Sequence, residues 1–572
     1  MAESAFAYHE PSIATILNQT GLLLVLNIIN TCLDKLLYCG LIGQLFIGIL
    51  WGTPGAKWLD RSTETVIQQL GYLGLIMLVY EGGLSTSLVS LRANMYLSLA
   101  VAFTGIGIPM ALSFVLMELV SATPLQAFAA GAALSATSLG TTFTILSTTG
   151  LISTRLGTVT TSAAMLDDVI GLVMVQIISN LGGSGESFSV VTVIRPLFVS
   201  LGFGVGVVLA CRFALRPIIV WVLESKVRIP QFAHTPQFAF LGYTALLVGL
   251  VAGATYAGTS SLFAAYLAGV ITSWFDSLVT ADSESRARQA HSQDNSQPQE
   301  QDGATTSGPP SQPTQRETIT GTYIYEHYYQ SPVTRILIPM FFASIGFAIP
   351  ITEMFQGSVV WRGIVYTILM TFGKMCTGLW LVRFSPLSGL SIFVRILQSP
   401  ISYASSCIHP AKARSDKDRN RPVQSDQLQE SAEPSDATAP GHANGTRQGT
   451  SSGDQDTTTT TAEPQAQDPR HASVSNLPPK PKSLYPASIL SLAMVARGEI
   501  GYLIASLAES NGIFGETSDG SSSETYLIVV WAISLCTLIG PISVGTLVKR
   551  VKALQVQRTN TGGPDPLGVW GI

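Results

Sequence analysis

Charged side chains are scarce in this chain. Asp, Glu, Lys and Arg make up 12% of its 572 residues, whereas soluble globular proteins contain about 25%. Apolar residues account for 47%. This balance excludes an ordinary water-soluble fold and predicts an all-α, polytopic membrane protein. The 32 Lys and Arg against 36 Asp and Glu are also too few to indicate a nucleic-acid partner.

Motifs for soluble catalysis are missing as well. The chain has neither a Walker glycine loop nor an HExxH zinc motif, so soluble-enzyme chemistry has no basis. Its six Cys follow no CxxC or metal-ligand spacing, and most lie in apolar runs, where Cys behaves as a small hydrophobic residue. We therefore expect neither an enzyme nor a bound cofactor.

Apolar windows of about 20 residues, the length that spans a bilayer, recur along the chain. Thirteen such windows predict about 13 transmembrane helices, which lie at 12–31, 38–55, 66–88, 95–118, 125–147, 157–179, 193–214, 236–257, 260–276, 333–353, 359–382, 485–508 and 525–548.

Two long polar stretches interrupt the apolar windows. They are rich in Ser, Thr, Gln and Pro, so they cannot bury enough surface to offset the entropy of ordering and are predicted to be disordered. The predicted organisation is helices 1–9 in 1–276, an insert at 277–331, helices 10–11 in 332–383, a mostly disordered insert at 384–484, helices 12–13 in 485–550 and a tail at 551–572. An interfacial helix at 387–407 is an alternative for the start of the second insert.

Charge placement predicts the orientation of these helices. If the N-terminus lies outside, only four of the 32 Lys and Arg fall on the outer side, namely Lys57, Arg61, Arg195 and Arg362. Because positive residues collect on the cytoplasmic side, the C-terminus and both inserts are predicted to be cytoplasmic.

Two adjacent carboxylates, Asp167 and Asp168, lie inside the sixth window, TSAAMLDDVIGLVMVQIISN. An Asp at the centre of a transmembrane helix costs about 2.5–3.5 kcal/mol on insertion scales, so such acids are rare and usually face an ion pathway or a partner. Neighbouring helix positions point about 100° apart, which gives the two Asp different surroundings. The pair can hold either a proton or a metal cation, which is the chemistry of exchange.

The fifth window, AGAALSATSLGTTFTILSTTG, is rich in hydroxyl side chains, with Thr137 and Ser138 close to Gly140. A helix of this composition can unwind at mid-membrane and offer oxygen atoms to an ion. The same small residues can instead merely permit close helix packing, and the segment alone favours neither interpretation.

Three further charges lie within predicted spans. Lys374 lies deep in the eleventh window, where it needs a counter-charge or must lose its proton. We favour an ion pair with Asp167 or Asp168. The alternative is that Lys374 lies nearer to one membrane interface. Arg497 and Glu499 flank Gly498 in the twelfth window. They predict either a broken helix with an internal Arg–Glu arrangement or an interfacial loop before a shorter span.

The segments AAMLDDVIGL, SATSLGTTFTIL, LIPMFFASIGFAI, GKMCTG and MVARGEIGYLIA together resemble the sodium/proton exchanger family of monovalent cation:proton antiporters, particularly its paired-aspartate branch. The resemblance covers residues 12–550 apart from the inserts. It implies an inverted-repeat fold with crossed, broken helices, in which a dimerising scaffold carries a moving core.

The resemblance also implies roles for the residues singled out above. Asp168 is then the cation- and proton-binding carboxylate, and its neighbour Asp167 pairs with Lys374. Thr137 and Ser138 form the unwound segment beside them, while Arg497 to Glu499 belong to the second broken helix.

One motif departs from the paired-aspartate branch. VYEGGLST in the third window is closer to the branch that has Asn–Asp and exchanges one ion for one proton. Paired aspartates with an intramembrane Lys are instead similar to electrogenic exchangers, so the stoichiometry stays open.

The resulting hypothesis is a secondary antiporter in which Na⁺, or K⁺ or Li⁺, competes with H⁺ for Asp168. The alternative is a non-transporting membrane sensor or scaffold that acts through its cytoplasmic inserts. The expected partners are the two ions, the lipid bilayer and a second copy of the chain in a homodimer. The sequence contains no targeting motif that distinguishes a location in the plasma membrane from one in an internal, endosomal or vacuolar membrane.

Overall fold

The computed structural model describes residues 10–37, 39–86, 92, 94–182, 190–217, 235–294, 320–382, 483–515, 522–561 and 565–571. All regular elements in these residues are helices. The first half of the chain contains α1 (Ile13–Leu37), α2 (Gly40–Trp51), α3 (Arg61–Leu84), α4 (Met95–Leu112), α5 (Pro124–Ser135), α6 (Leu139–Thr148), α7 (Arg155–Gly182) and α8 (Val190–Ala210). The second half contains α9 (Pro236–Ala257), α10 (Ser261–Asp294), α11 (Ile338–Phe347), α12 (Gly357–Met375), α13 (Tyr485–Ala493), α14 (Glu499–Ser510) and α15 (Glu524–Thr561).

Nine helical stretches of the described residues are long and apolar enough to cross a bilayer. Each of the thirteen predicted windows coincides with helix, although several windows contain short or broken helices. The all-helical fold class is therefore confirmed, and the number of crossings stays a prediction.

Helix is present at both ends of the range 277–331 that the sequence predicts as the first insert. Helix α10 continues to Asp294, and a run of helical turns from Gly321 leads into α11. Asp276 stabilises the start of the helical turns at Gly321. Its carboxylate accepts the backbone N–H groups of Gly321 at 2.8 Å and Thr322 at 3.3 Å. These bonds cap the new helix.

Other predicted boundaries lie elsewhere or beyond the described residues. Helix α15 extends to Thr561, so the tail predicted from 551 begins as helix. Residues 295–319 and 383–482, including the alternative interfacial helix at 387–407, lie outside the described part of the chain.

Close backbone contacts join α3 to α10, α3 to α11 and α2 to α11, and we call these four helices the scaffold. A Cβ atom on Gly83 of α3 would lie 2.2 Å from the carbonyl oxygen of Tyr266 in α10, and one on Gly48 of α2 would lie 2.2 Å from that of Ala343 in α11. Such contacts exist only where a side chain is absent. The scaffold is consequently held as one closely packed unit.

We expect Gly83→Ala to destabilise the scaffold, because overpacking of a close contact costs about 1–3 kcal/mol. Its neighbour provides a matched control, since the nearest atom to a Cβ on Gly82 is a Leu139 methyl at 3.5 Å, an ordinary contact. The melting temperature in detergent should fall for Gly83→Ala and stay close to that of the parent for Gly82→Ala. Equal melting temperatures for the two variants would contradict the close packing of α3 on α10.

A second group comprises α4, α5, α6, α7, α12, α13, α14 and α15, and we call it the central bundle. Helix α7 packs against α4 and α14, and α15 packs against α12 and α13. The sixth window, with both aspartates, thus lies in α7 at the middle of this bundle.

Candidate functional site

Two broken helices cross inside the central bundle. Helix α5 ends at Ser135 and α6 begins at Leu139, while α13 ends at Ala493 and α14 begins at Glu499. A hydrogen bond joins the two non-helical segments: the backbone N–H of Ser138 donates to the carbonyl oxygen of Ala496 at 2.9 Å. The interpretation of both windows as broken helices, rather than as continuous or interfacial segments, therefore describes the structure.

Small side chains permit this crossing. Ser138 caps α6, since its Oγ accepts the backbone N–H of Thr141 at 3.4 Å and so serves one of the unpaired donors of that helix start. A Cβ atom on Gly498 would lie 2.6 Å from the same Ser138 Oγ. Glycine is thus the residue that lets the second break approach the first.

Arg497 is completely buried at this crossing. Its Nη1 donates to the carbonyl oxygens of Ala136 at 3.2 Å and Met494 at 3.3 Å. These carbonyls directly follow the C-terminal ends of α5 and α13, where a helix carries partial negative charge. The guanidinium group is therefore held by the ends of two half-helices.

The Arg–Glu arrangement considered for this window takes another form in the structure. Among the described residues, Glu499 makes no ion pair with Arg497; its Oε2 instead accepts from Ser138 Oγ at 3.3 Å. Side-chain chemistry alone favoured an acidic partner for Arg497, and the backbone carbonyls that hold it give no signal in the sequence.

Asp167 and Lys374 form an ion pair with neither side chain exposed. Lys374 Nζ lies 2.6 Å from Asp167 Oδ2 and also donates to Thr137 Oγ1 at 2.8 Å. Thr137 Oγ1 in turn donates to Asp167 Oδ2 at 2.7 Å. The three groups close a triangle, so the negative charge of Asp167 is neutralised inside the bundle.

The triangle is covered on one side by α4. A Cβ atom on Gly105 of that helix would lie 3.2 Å from Lys374 Nζ and 3.6 Å from Asp167 Oδ2. This close approach leaves no room for a bulky side chain. It accounts for the full burial of the pair.

Asp168 has different surroundings, as the 100° helical offset from Asp167 requires. It lines a cavity of about 410 Å³ together with Glu499. Its Oδ1 atom is buried and has no hydrogen-bond partner among the described residues. Asp167 Oδ1 likewise has no partner among the described residues, so the two carboxylates differ in the ion pair that Asp167 makes with Lys374 and in the cavity that Asp168 lines.

The cavity lies between the two helix groups. The scaffold and the helical turns before α11 contribute Glu81, Tyr325 and Glu326, and the central bundle contributes Asp168 and Glu499. Four carboxylates thus line it, and no Lys or Arg is among its described lining residues. A cleft lined by one sign of charge raises the local concentration of the opposite ion, in this case a cation.

Two carboxylates of this wall are not among the site residues predicted from the sequence. Glu326 lies in the range predicted as the first insert, and Glu81 lies in the VYEGGLST motif. In the structure Glu81 Oε2 accepts from the Tyr325 hydroxyl at 2.9 Å. The aromatic run TYIYEHYY at 322–329 was the available signal, because so many Tyr are unusual in a disordered segment.

The part of the chain that contains Asp167 and Asp168 is similar to a known protein family. The family model for the transmembrane region of sodium/hydrogen exchangers matches residues 22–287, a stretch that contains α7. The high-affinity Na⁺/H⁺ antiporter NhaS3 of Synechocystis sp. is 31% identical over 215 residues, which are 37% of this chain and 46% of that protein. The chain is thus similar to this family over slightly less than half of its length.

Two further relatives of this chain come from Bacillus cereus. The probable Na⁺/H⁺ antiporter GerT is 24% identical over 61% of this chain and 78% of its own length. The Na⁺/H⁺-K⁺ antiporter GerN is 27% identical over 38% of this chain and 55% of its own length. Two of the three alignments thus span about half of the relative.

A solved structure shares the fold of this chain. The sodium proton antiporter MjNhaP1 of Methanocaldococcus jannaschii, determined at pH 8, superposes with a TM-score of 0.52 over 94% of this chain and 99% of that chain, at 13% identity. The chain is an integral, multi-pass membrane protein with this architecture.

Proposed function

We propose that this protein exchanges a monovalent cation for protons across its membrane, and that the two ions compete for Asp168. One observation carries the proposal: Asp168 is an unpaired carboxylate on the wall of an acidic cavity, whereas its neighbour Asp167 is neutralised by Lys374 at 2.6 Å. The relatives NhaS3, GerT and GerN, named as Na⁺/H⁺ or Na⁺/H⁺-K⁺ antiporters, support it.

The chemistry of Asp168 provides the coupling. Oxygen atoms are the ligands that hard cations such as Na⁺, Li⁺ and K⁺ accept, and Asp168 and Glu499 supply them on one cavity wall. A proton on Asp168 removes the negative charge and with it the attraction for the cation. Each ion therefore displaces the other.

The same carboxylate explains why exchange is obligatory. An ionised carboxylate without a counter-ion is costly to bury, so an unloaded site stays in contact with water. When a cation or a proton neutralises Asp168, the free-energy barrier to burying the site between the two sides of the membrane is smaller. Alternating access then consists of movement of the central bundle against the scaffold, within a proposed homodimer in the lipid bilayer.

Lys374 bears on the number of charges moved in each cycle. If a cation at Asp168 weakens the hold of Asp167 on the ammonium group, Lys374 can release its proton as the cation binds. The exchanger would then move two protons for one cation and be electrogenic. If Lys374 keeps its proton, exchange is electroneutral.

Flux in proteoliposomes tests the proposal. The purified protein is reconstituted with a pH-sensitive dye inside, a pH gradient is imposed, and NaCl, KCl, LiCl or choline chloride is added in turn. At least one alkali cation should dissipate the gradient, and choline, which is too large for an alkali-cation site, should not. A gradient that decays equally with all four salts, or with none, would contradict exchange.

We expect removal of the polar segments to leave basal exchange intact. Deletion of 405–480, or replacement of 297–317 by a short Gly/Ser linker, removes none of the residues that line the cavity, and polar segments of this composition contribute little to a membrane core. Flux should stay within about twofold of the parent. Loss of flux in a variant that is correctly inserted would make the deleted segment part of the transport unit.

A further inference from the structure

The chain folds back on the central bundle after α15. A short helical turn, Gly568–Trp570, follows that helix, and we call residues 565–571 the tail segment. Gln555 of α15 donates to Asp565 Oδ1 at 3.0 Å. Within the tail segment Leu567 is 1% exposed and Trp570 is 8% exposed. Side chains as large as these are buried to this extent only where protein covers them on nearly every side.

The buried side chains of the tail segment complete an apolar cluster at one end of the central bundle. Leu567 and Trp570 share this cluster with residues of four helices, among them Ile145 of α6, Leu156 of α7, Leu490 of α13 and Val548 of α15. No described residue of the scaffold belongs to the cluster. Through these contacts the tail segment therefore acts on the central bundle and not on the scaffold.

Two further contacts fix the tail segment near the starts of α7 and α13. The guanidinium carbon of Arg155, the first residue of α7, lies 5.1 Å from the centre of the Trp570 ring, which is within the range of a cation–π interaction. Ser483, two residues before α13, donates its hydroxyl to the carbonyl oxygen of Pro566. The predicted orientation places Arg155 and the C-terminus on the same, cytoplasmic side of the membrane.

The helices that the tail segment joins are those that carry the ion site. Helix α7 carries Asp167 and Asp168, and Asp167 lies about 18 Å along the helix from Arg155. Helix α6 begins two residues after Thr137, and α13 ends directly before Met494. The Thr137 hydroxyl lies 2.7 Å from Asp167 Oδ2 and 3.4 Å from the carbonyl oxygen of Met494. One end of each helix is thus at the tail segment and the other is near the aspartates.

Helices α6 and α13 are too short to hold their positions unaided. They contain 10 and 9 residues, whereas isolated helices shorter than about 12–15 residues are marginal in water. Their positions consequently depend on packing against neighbouring elements. The tail segment supplies part of that packing.

We propose that the docked tail segment positions the ion site: Leu567 and Trp570 hold α6, α7 and α13 together at the cytoplasmic end of the central bundle, and this sets the affinity of Asp168 for the cation. The inference rests on the proposed competition of cation and proton at Asp168. No described residue of the tail segment lines the cavity at Asp168, so docking does not obstruct the entry of ions. Loss of docking should therefore weaken cation binding and leave the maximal rate of exchange nearly unchanged.

Substitution of Trp570 in the full-length chain tests this inference. Trp570→Ala removes the ring, whereas Trp570→Phe keeps an aromatic face for the cluster and for Arg155. Val556→Ala is the matched control, because Val556 also lies near the C-terminal end of the chain, on α15, but is 65% exposed. If Trp570→Ala does not fold, Arg155→Gln takes its place, since it removes only the cation above the ring.

Docking and cation affinity are measured separately. Hydrogen–deuterium exchange of the amides at 565–571 measures docking, because the backbone hydrogen bonds within this segment join residues only three positions apart and protect little by themselves. The rise in melting temperature on titration with NaCl, KCl or LiCl gives the cation affinity without transport, with choline chloride holding the total salt constant. Flux in proteoliposomes then gives the apparent KM and the maximal rate.

We expect the tail amides of Trp570→Ala to exchange at least about tenfold faster than those of the parent. The half-saturating cation concentration should rise at least about fivefold in both the titration and the flux assay, as is typical of two coupled sites. Trp570→Phe and Val556→Ala should stay within about twofold of the parent. Because such coupling is reciprocal, a saturating cation should also slow the exchange of the tail amides in the parent.

An unchanged cation affinity in Trp570→Ala would overturn the inference, whether its tail amides exchange faster or not. A maximal rate that falls while the affinity stays constant would overturn it as well. Weaker cation binding by Trp570→Ala in the titration, with no flux in any of the proteins, would refute exchange and leave the positioning role standing. Flux in the parent with an affinity that does not depend on Trp570 would do the reverse.

Discussion

Asp168→Asn should reduce cation-coupled proton flux to the level of protein-free liposomes. The amide cannot exchange a proton and carries no charge for a cation, so both ions lose their site at once. Folding should be preserved, because an amide is less costly than a carboxylate in a membrane helix and Asp168 makes no hydrogen bond through Oδ1 in the described structure. The measurement is flux at equal reconstituted protein, together with the melting temperature in detergent.

Glu326→Gln is the matched control for this variant. It removes a carboxylate from the wall of the same cavity but leaves Asp168 in place. We expect exchange to continue with a weaker apparent affinity for the cation, since only long-range attraction is lost. Persistent coupled flux in Asp168→Asn, or its complete loss in both variants, would contradict the assignment of Asp168 as the ion site.

Lys374→Gln and Asp167→Asn should each lower stability strongly, and the double variant should recover much of the loss. Each single change leaves one buried charge without its partner at a site where neither side chain is exposed, and breaking a buried pair in this way costs about 3–5 kcal/mol. The double variant contains no unpaired charge. Melting temperatures of the parent, both singles and the double form the cycle that measures the coupling.

Additive losses in the cycle would show that Asp167 and Lys374 do not stabilise each other. Thr137→Val serves as the control for the polar environment, because it removes only the hydroxyl that bonds both partners. Its cost should be nearer to that of one buried hydrogen bond, about 1–3 kcal/mol. Loss of voltage sensitivity in Lys374→Gln, in a parent that is electrogenic, would identify Lys374 as the second proton carrier.

Much of the architecture could be predicted from the sequence because membrane insertion makes certain residues costly. Apolar windows had to be helices, since a bilayer satisfies no backbone group. For the same reason Asp167, Asp168 and Lys374 stood out as charges that need a partner or an ion. The structure brings all three to the crossing of the broken helices.

Other features had no comparable signal. Arg497 is held by the carbonyl oxygens of Ala136 and Met494, and backbone atoms at a helix end are the same for every sequence. The helical turns at 321–337 begin where Asp276 caps them, a contact between residues 45 positions apart. Glu326 and the cavity it lines were missed because composition alone assigned this segment to an insert.

The central claim is that a cation and a proton compete for one carboxylate, and the pH dependence of the apparent cation affinity tests it most directly. Flux is measured over a series of cation concentrations at pH values one unit apart. Where the site is mostly protonated, each unit of acidification should raise the apparent KM at least about tenfold, because the proton on Asp168 must leave before a cation binds, while the maximal rate stays constant. An apparent KM that does not change with pH, with a maximal rate that does, would show separate sites for the two ions and contradict the account.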